Sequence, residues 1–359
     1  MKVLLICNYK PGVGGSSGQV EILQRKLRSE GHTADIFSTK ASVLRRLLLP
    51  MRLRSVARHY DLLHIHCCSG WGFLPAVIGI TIGRRLKKRL VLTYHGGGGE
   101  SFFDRHPKLV RHYLTRTDAN IVLSGFLAKV FEKHNLPYTI IPNIIELDES
   151  LFRQRETLKP HFICTRAHEI LYNIPCILRA FQKTLTELPE STLTLVGDGS
   201  QHAVLIQMVK DMGLQNVTFT GKVDNQDIYH HLDQADILLS SPTVDNMPVS
   251  LLEAMNAGLL VISSSVGGVP YMIKNGNNGL LFDNNNHNEL AQKMLWTIEN
   301  QAIALTIIQQ AHQAVSSYRW ENIKDKLYTT YGISACTYHP AAERPFARRA
   351  GTQVPAVAQ

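Results

Sequence analysis

Short apolar runs alternate with amphipathic stretches along most of this chain. The first run, Lys2 to Cys7, is followed by a glycine-rich loop, Pro11 to Gly18, and then by apolar positions at helical spacing to about Glu30. Further runs of strand length fall at 33–37, 62–66, 90–93, 120–123 and 138–141, with helical segments between them. Apolar runs separated by helices predict a parallel, doubly wound sheet, because such strands are covered on both faces. Pro142-Asn143 breaks this pattern, and the polar, mixed-charge stretch from Glu146 to Lys159 reads as a connection. A second alternation then runs through strands at 162–165, 192–196, 217–220, 237–239 and 260–263, and helices from Glu289 to about Tyr331 follow. The prediction is two α/β domains, 1–145 and 146–333, with the last helix able to cross back onto the first. Two such domains face each other across a cleft at the carboxyl ends of their strands. From Ser334 the chain turns to Ala, Pro and Arg without periodicity, and 334–359 is expected to be a disordered tail.

A length of 359 residues suits two cores better than one, and 44% hydrophobic with 19% charged residues describes a soluble globular protein. The run Val3–Cys7 is too short for the apolar part of a signal peptide, and nothing reads as a membrane span. Cysteines 7, 67, 68, 164, 176 and 336 show no C-x-x-C spacing and read as reduced core residues of a cytosolic protein. The formal charge of +9 is concentrated. Lys40, Arg45, Arg46, Arg52, Arg54, Arg58, Arg84, Arg85, Lys87, Lys88 and Arg89 stand against Asp61 alone between Ile36 and Gly99, which leaves the remainder near neutral. In the basic 40–58 region leucines are mixed with arginines. That pattern fits a surface for anionic lipid, and it equally fits a core helix with a solvated basic face. No aromatic interleaving or known module supports nucleic-acid binding.

The chemistry concentrates between Ser241 and Pro270. Asp245 and Glu253 lie eight positions apart around a predicted helix start at Pro248, a residue suited to the first turn because it lacks an N–H. The amides of Val249 and Ser250 would then be free donors at the positive end of a helix, which is an anion site. After the next strand, Val266-Gly267-Gly268-Val269-Pro270 repeats the device, so two helix openings are expected to face one cleft. An ordinary strand-to-helix connection whose acidic first turn complements the dipole is the bland alternative.

This segment resembles the signature of glycosyltransferase family 4, whose members are retaining enzymes of the GT-B fold, with two Rossmann-like domains. The match lies at Glu253, Ala254, Gly258, Val266, Gly267 and Gly268, while Asp245 stands where the family has glutamate. The resemblance implies transfer of a hexose-type sugar from a UDP- or GDP-linked donor to a hydroxyl acceptor, lipid-linked or polysaccharide in nature. It further implies retention of configuration, while the cysteines and the basic 40–58 region carry the expectation of a cytoplasmic location, peripheral at the inner face of a membrane. It also assigns residues. His95, Arg166 and Asp245 would act at the reacting centre, with Arg166 clamping the donor diphosphate; Tyr172 occupies the place of a second, lysine clamp. The donor-binding set would be Gly14, Gly15, Gly197, Gly199, Gly221, Asn246, Met247, Pro248, Val249, Glu253, Gly267 and Gly268. No cofactor is expected beyond the nucleotide-sugar co-substrate. There is no D-x-D motif to seat a metal, and fixed amides with Arg166 would balance the leaving diphosphate. His64 and His66 share one strand face and are read as scaffold. A sugar-nucleotide epimerase of the same architecture and a weakly catalytic binding protein are the alternatives.

Overall fold

The computed structural model describes residues 1–11, 15–40, 47–146, 151–224 and 227–333; the expectations for Gly14, for 41–46 and for the 334–359 tail lie outside them. Strands β1 (Lys2–Cys7), β2 (Thr33–Ser38), β3 (Leu62–Cys67), β4 (Arg89–Tyr94), β5 (Ala119–Val122) and β6 (Thr139–Ile140) form one parallel sheet in the order β2-β1-β3-β4-β5-β6. A second is built from β7 (His161–Cys164), β8 (Thr192–Val196), β9 (Val217–Gly221), β10 (Ile237–Ser240), β11 (Leu260–Ser264) and β12 (Leu280–Phe282), ordered β12-β11-β10-β7-β8-β9. Strands β3, β10 and β11 are buried along their whole length, because helices cover both faces. The eleven runs read from the sequence are all strands here. Strand β12 was not anticipated: three residues between Gly279 and Asp283 carry no periodicity, and only pairing with β11 defines them.

The strand order fixes where a ligand can sit. In the first sheet the chain reverses direction at β1/β3, and in the second at β7/β10. The loops leaving such neighbours diverge, which opens a crevice at the carboxyl ends of the strands. Arg166 follows β7 and Asp245 follows β10, so the topology places them at the same switch point.

The last helix, Trp320–Tyr331, packs on the first sheet. Trp320, Ile323, Leu327 and Tyr331 join Val3, Leu5, Leu62 and Val91 in one buried cluster, and Trp320 Nε1 donates to Glu30 Oε1 at 2.9 Å.

The segment read as a connection is firmly held from residue 151 onward. Arg155 is buried; its Nε donates to Asp236 Oδ1 at 2.7 Å, its Nη1 to the carbonyls of Ala257 and Gly258, and its Nη2 to that of Ala235. Asp236 also pairs with Arg153. Removing the guanidinium leaves a buried carboxylate short of a partner, the Gly258 carbonyl without a donor among the described residues, and those of Ala235 and Ala257 with only longer contacts of 3.4 Å from Arg153. Arg155→Met is therefore expected to lower the stability of the second domain by about 3 kcal/mol, read as a shift in the denaturant midpoint; an unchanged midpoint would show the cluster to be energetically neutral. Among the described residues no helix is long and apolar enough to cross a membrane.

Candidate active site

The helix Val249–Asn256 carries the site. Its inward face, Leu251, Leu252, Ala254 and Met255, packs into the core of the second domain, and Gly258 closes it at φ 76°, where a side chain would also meet Arg153 O. Pro248 has φ −68° and ψ 115°, so it caps the helix from outside instead of forming its first turn, one residue earlier than the sequence suggests. The consequence for the amides is the same. Leu251 N already turns back to Pro248 O, whereas Val249 N and Ser250 N have no acceptor among the described residues.

Three side chains converge on this opening. Arg166 forms an ion pair with Asp245, donates through Nη1 to Ser250 Oγ at 3.1 Å, and lies over the ring of Tyr172 at 4.2 Å. Tyr172 is thus not a second cation; it supplies an aromatic face that holds the guanidinium. Arg166 Nε is buried without a partner among the described residues, so the guanidinium retains a donor. Glu253, on the same helix, is partly exposed, and burial pushes its carboxyl up to about 7 while the charge of Arg166 draws it down.

From the opposite side comes His95, directly after β4. The loop it begins touches the 245–246 backbone: a Cβ on Gly97 would lie 3.5 Å from Asp245 Cα. Burial lowers the His95 imidazole to about 4, so it is neutral near pH 7. Its Nε2 lies 2.9 Å from His66 Nδ1, while both nitrogens of His64 are engaged, by Tyr331 Oη at 2.7 Å and Thr93 Oγ1 at 2.8 Å. His64 is therefore committed to the scaffold.

Several residues expected to touch a donor are turned to other work. Met247 is buried; its Sδ and carbonyl accept from the backbone and side chain of Asn143. Asn246, also buried, accepts from Ser124 Oγ at 2.8 Å and donates to His95 O at 3.4 Å, bridging the two domains. Gly267 and Gly268 do permit a close backbone approach, but to the 245–246 loop: side chains there would overlap the carbonyls of Asp245 and Asn246, and Gly268 N donates to Asp245 O at 2.8 Å. The helix that follows, Val269–Met272, is a single turn with too few aligned peptides for a useful dipole. Of these two openings, only that of Val249–Asn256 belongs to a helix long enough to offer an anion site. Gly197 and Gly199 likewise admit the carbonyls of Arg166 and His168, which pins the Arg166 loop against β8. Gly221 at φ 70° and Gly15 at φ 66° serve turns with open space around them. Sequence reasoning missed Ser124 and the hydroxyl of Ser250, both signalled only by tertiary proximity.

Two family models divide most of the chain between them: Glycosyltransferase Family 4 matches residues 32–149, and Glycosyl transferases group 1 matches 152–314. The chain belongs to glycosyltransferase family 4. As a family 4 enzyme it is 26% identical over 308 residues to N-acetyl-alpha-D-glucosaminyl L-malate synthase of Bacillus anthracis, covering 79% of this chain and 78% of the relative. Among solved structures, HepE of Anabaena in complex with UDP and glucose superposes with TM-score 0.77 at 20% identity, covering 92% of this chain and 99% of that one. Sucrose-phosphate synthase of Thermosynechococcus elongatus gives 0.76 at 17% identity, covering 92% and 98%. The fold of this family 4 glycosyltransferase is accordingly GT-B.

Proposed function

We propose that this glycosyltransferase moves a hexose-type sugar from a UDP-linked donor to a hydroxyl of a lipid-linked or polysaccharide acceptor, with retention and without a metal. The observation that carries the reading is the convergence of two free helix amides, the Arg166 guanidinium and the Glu253 carboxyl at one strand-order switch point. Amides and guanidinium suit the oxygens of a diphosphate, and a carboxylate suits the two hydroxyls of a ribose. HepE, which shares the fold, is known in complex with UDP and with UDP-glucose, which supports UDP as the leaving group. In this reading the bond from the anomeric carbon to the diphosphate oxygen lengthens first, and charge grows on the diphosphate. The fixed donors match that charge without reorganising. His95 borders the sugar from the other domain, and closure excludes the water that would compete with the acceptor.

The test is a calorimetric panel of UDP-glucose, UDP-galactose, UDP-N-acetylglucosamine and GDP-mannose, followed by assay of nucleotide release. Binding confined to UDP donors is the expected result; preference for GDP-mannose, or no binding, contradicts it.

The acceptor side carries the basic region. The helix Leu49–Ala57 buries Leu49, Leu53 and Ala57 and turns Arg52 and Arg54 outward beside Met51, 71% exposed, with Leu47 at 79% just before it. Apolar and basic groups side by side on one face support contact with an anionic membrane surface, each cation adding on the order of 1 kcal/mol. In flotation, vesicles containing phosphatidylglycerol are expected to carry the protein and pure phosphatidylcholine vesicles are not; equal recovery contradicts the membrane reading.

A further inference from the structure

His66 lies beneath His95, and its place in the reaction follows from where its single proton can reside. The two rings stack with centroids 5.2 Å apart, and His66 Nδ1 sits 2.9 Å from His95 Nε2. Both imidazoles are held neutral by burial, which lowers His66 well below its ordinary value and His95 to about 4, so exactly one hydrogen occupies the bond between them. His66 Nε2 is buried with no partner among the described residues, at a cavity of about 40 Å³ that His64, His66, Thr93 and His95 help to line. A proton on His66 Nε2 would be an N–H without a protein acceptor, whereas a proton on Nδ1 has His95 as its acceptor.

We propose that His66 is a positioning residue, whose Nδ1–H donates to His95 Nε2 and so fixes His95 as the tautomer with its N–H at Nδ1. With Nε2 turned inward, Nδ1 is the edge left to the partly exposed side of His95. The cleft therefore receives a hydrogen-bond donor, fit for a sugar or phosphate oxygen, and not an acceptor. This inference rests on the reading that His95 borders the donor sugar.

The experiment begins with the unaltered protein labelled with ¹⁵N-histidine. The His95 signals, found by their loss in His95→Gln, are expected to report a neutral Nδ1–H tautomer; an Nε2–H tautomer overturns the proposal. Nucleotide release from the fastest donor of the panel is then compared among variants. His66→Leu is expected to leave His95 without a fixed tautomer, seen as a mixture of Nδ1–H and Nε2–H forms, and to lower kcat about 10- to 100-fold with little change in KM. His66→Asn, whose amide reaches the position of Nδ1, is expected to restore most of the rate. If His95→Gln slows release while His66→Leu alters neither tautomer nor rate, this inference falls and the donor-site reading stands. If His95→Gln itself is without effect, the reading of His95 fails first.

Discussion

Replacing Glu253 with alanine is expected to abolish nucleotide-sugar binding while leaving the fold intact. Glu253 is the fifth residue of the helix Val249–Asn256, and its neighbours Leu252 and Ala254, not Glu253, supply the buried packing. What is lost, in the proposed reading, is the carboxyl that accepts from a ribose diol. Charge-assisted hydrogen bonds of this kind contribute about 1.5–3 kcal/mol each, so two of them are worth at least a hundredfold in affinity. Calorimetry with UDP checks this directly, and wild-type affinity in the variant would remove Glu253 from the site.

The raised carboxyl makes a second, independent signature. Burial favours the neutral form of Glu253 and lifts it to about 7 from an ordinary 4.5. Its contribution to stability is thus fully present below about pH 4.5 and is lost as pH rises through 7, amounting to up to about 3 kcal/mol. Ligand binding runs the other way. A diol donates to the ionised form, so UDP affinity should rise with pH toward 7 and then level off. Glu253→Gln is expected to flatten both profiles; retention of either in the variant assigns it to another group.

Arg166→Ala is expected to lower kcat/KM about 10²- to 10³-fold, because in the proposed reading this guanidinium faces the leaving diphosphate. Its partner gives a contrasting result. Asp245 holds Arg166 in an ion pair in the free protein, and a diphosphate must compete with it. Asp245→Asn should therefore tighten UDP severalfold while slowing turnover, since the proposed reading places this carboxylate beside the reacting carbon. A shared direction for UDP affinity and turnover would show that the pair is not opened by the donor. Tyr172 fits this arrangement: the Arg166 guanidinium carbon lies 4.2 Å from its ring centroid, so an aromatic face steadies the cation.

The sheets were legible because most of their strands are buried on both faces and carry apolar runs, as in Val3–Cys7 of β1 and Leu260–Ile262 of β11. The short β12 was not, since its identity depends on hydrogen bonds to β11 and not on its own composition. In the candidate site, the helix start was legible from Pro248 to within one residue. The pairing of Arg166 with Asp245, 79 residues apart, was not, because only the strand order brings β7 and β10 side by side. The glycines at 267 and 268 signalled a close approach correctly as a matter of sterics, but a sequence cannot say whether ligand or backbone fills the space. For Met247 the same holds: its position in the loop was readable, its direction toward Asn143 was not.

The account rests on one helix opening and one guanidinium receiving a diphosphate. A crystal structure with UDP bound tests this most directly. The prediction is a β-phosphate within hydrogen-bond reach of Val249 N, Ser250 N and Arg166, with the ribose hydroxyls on Glu253. UDP seated elsewhere, with the Arg166–Asp245 pair undisturbed and those amides facing solvent, would contradict it.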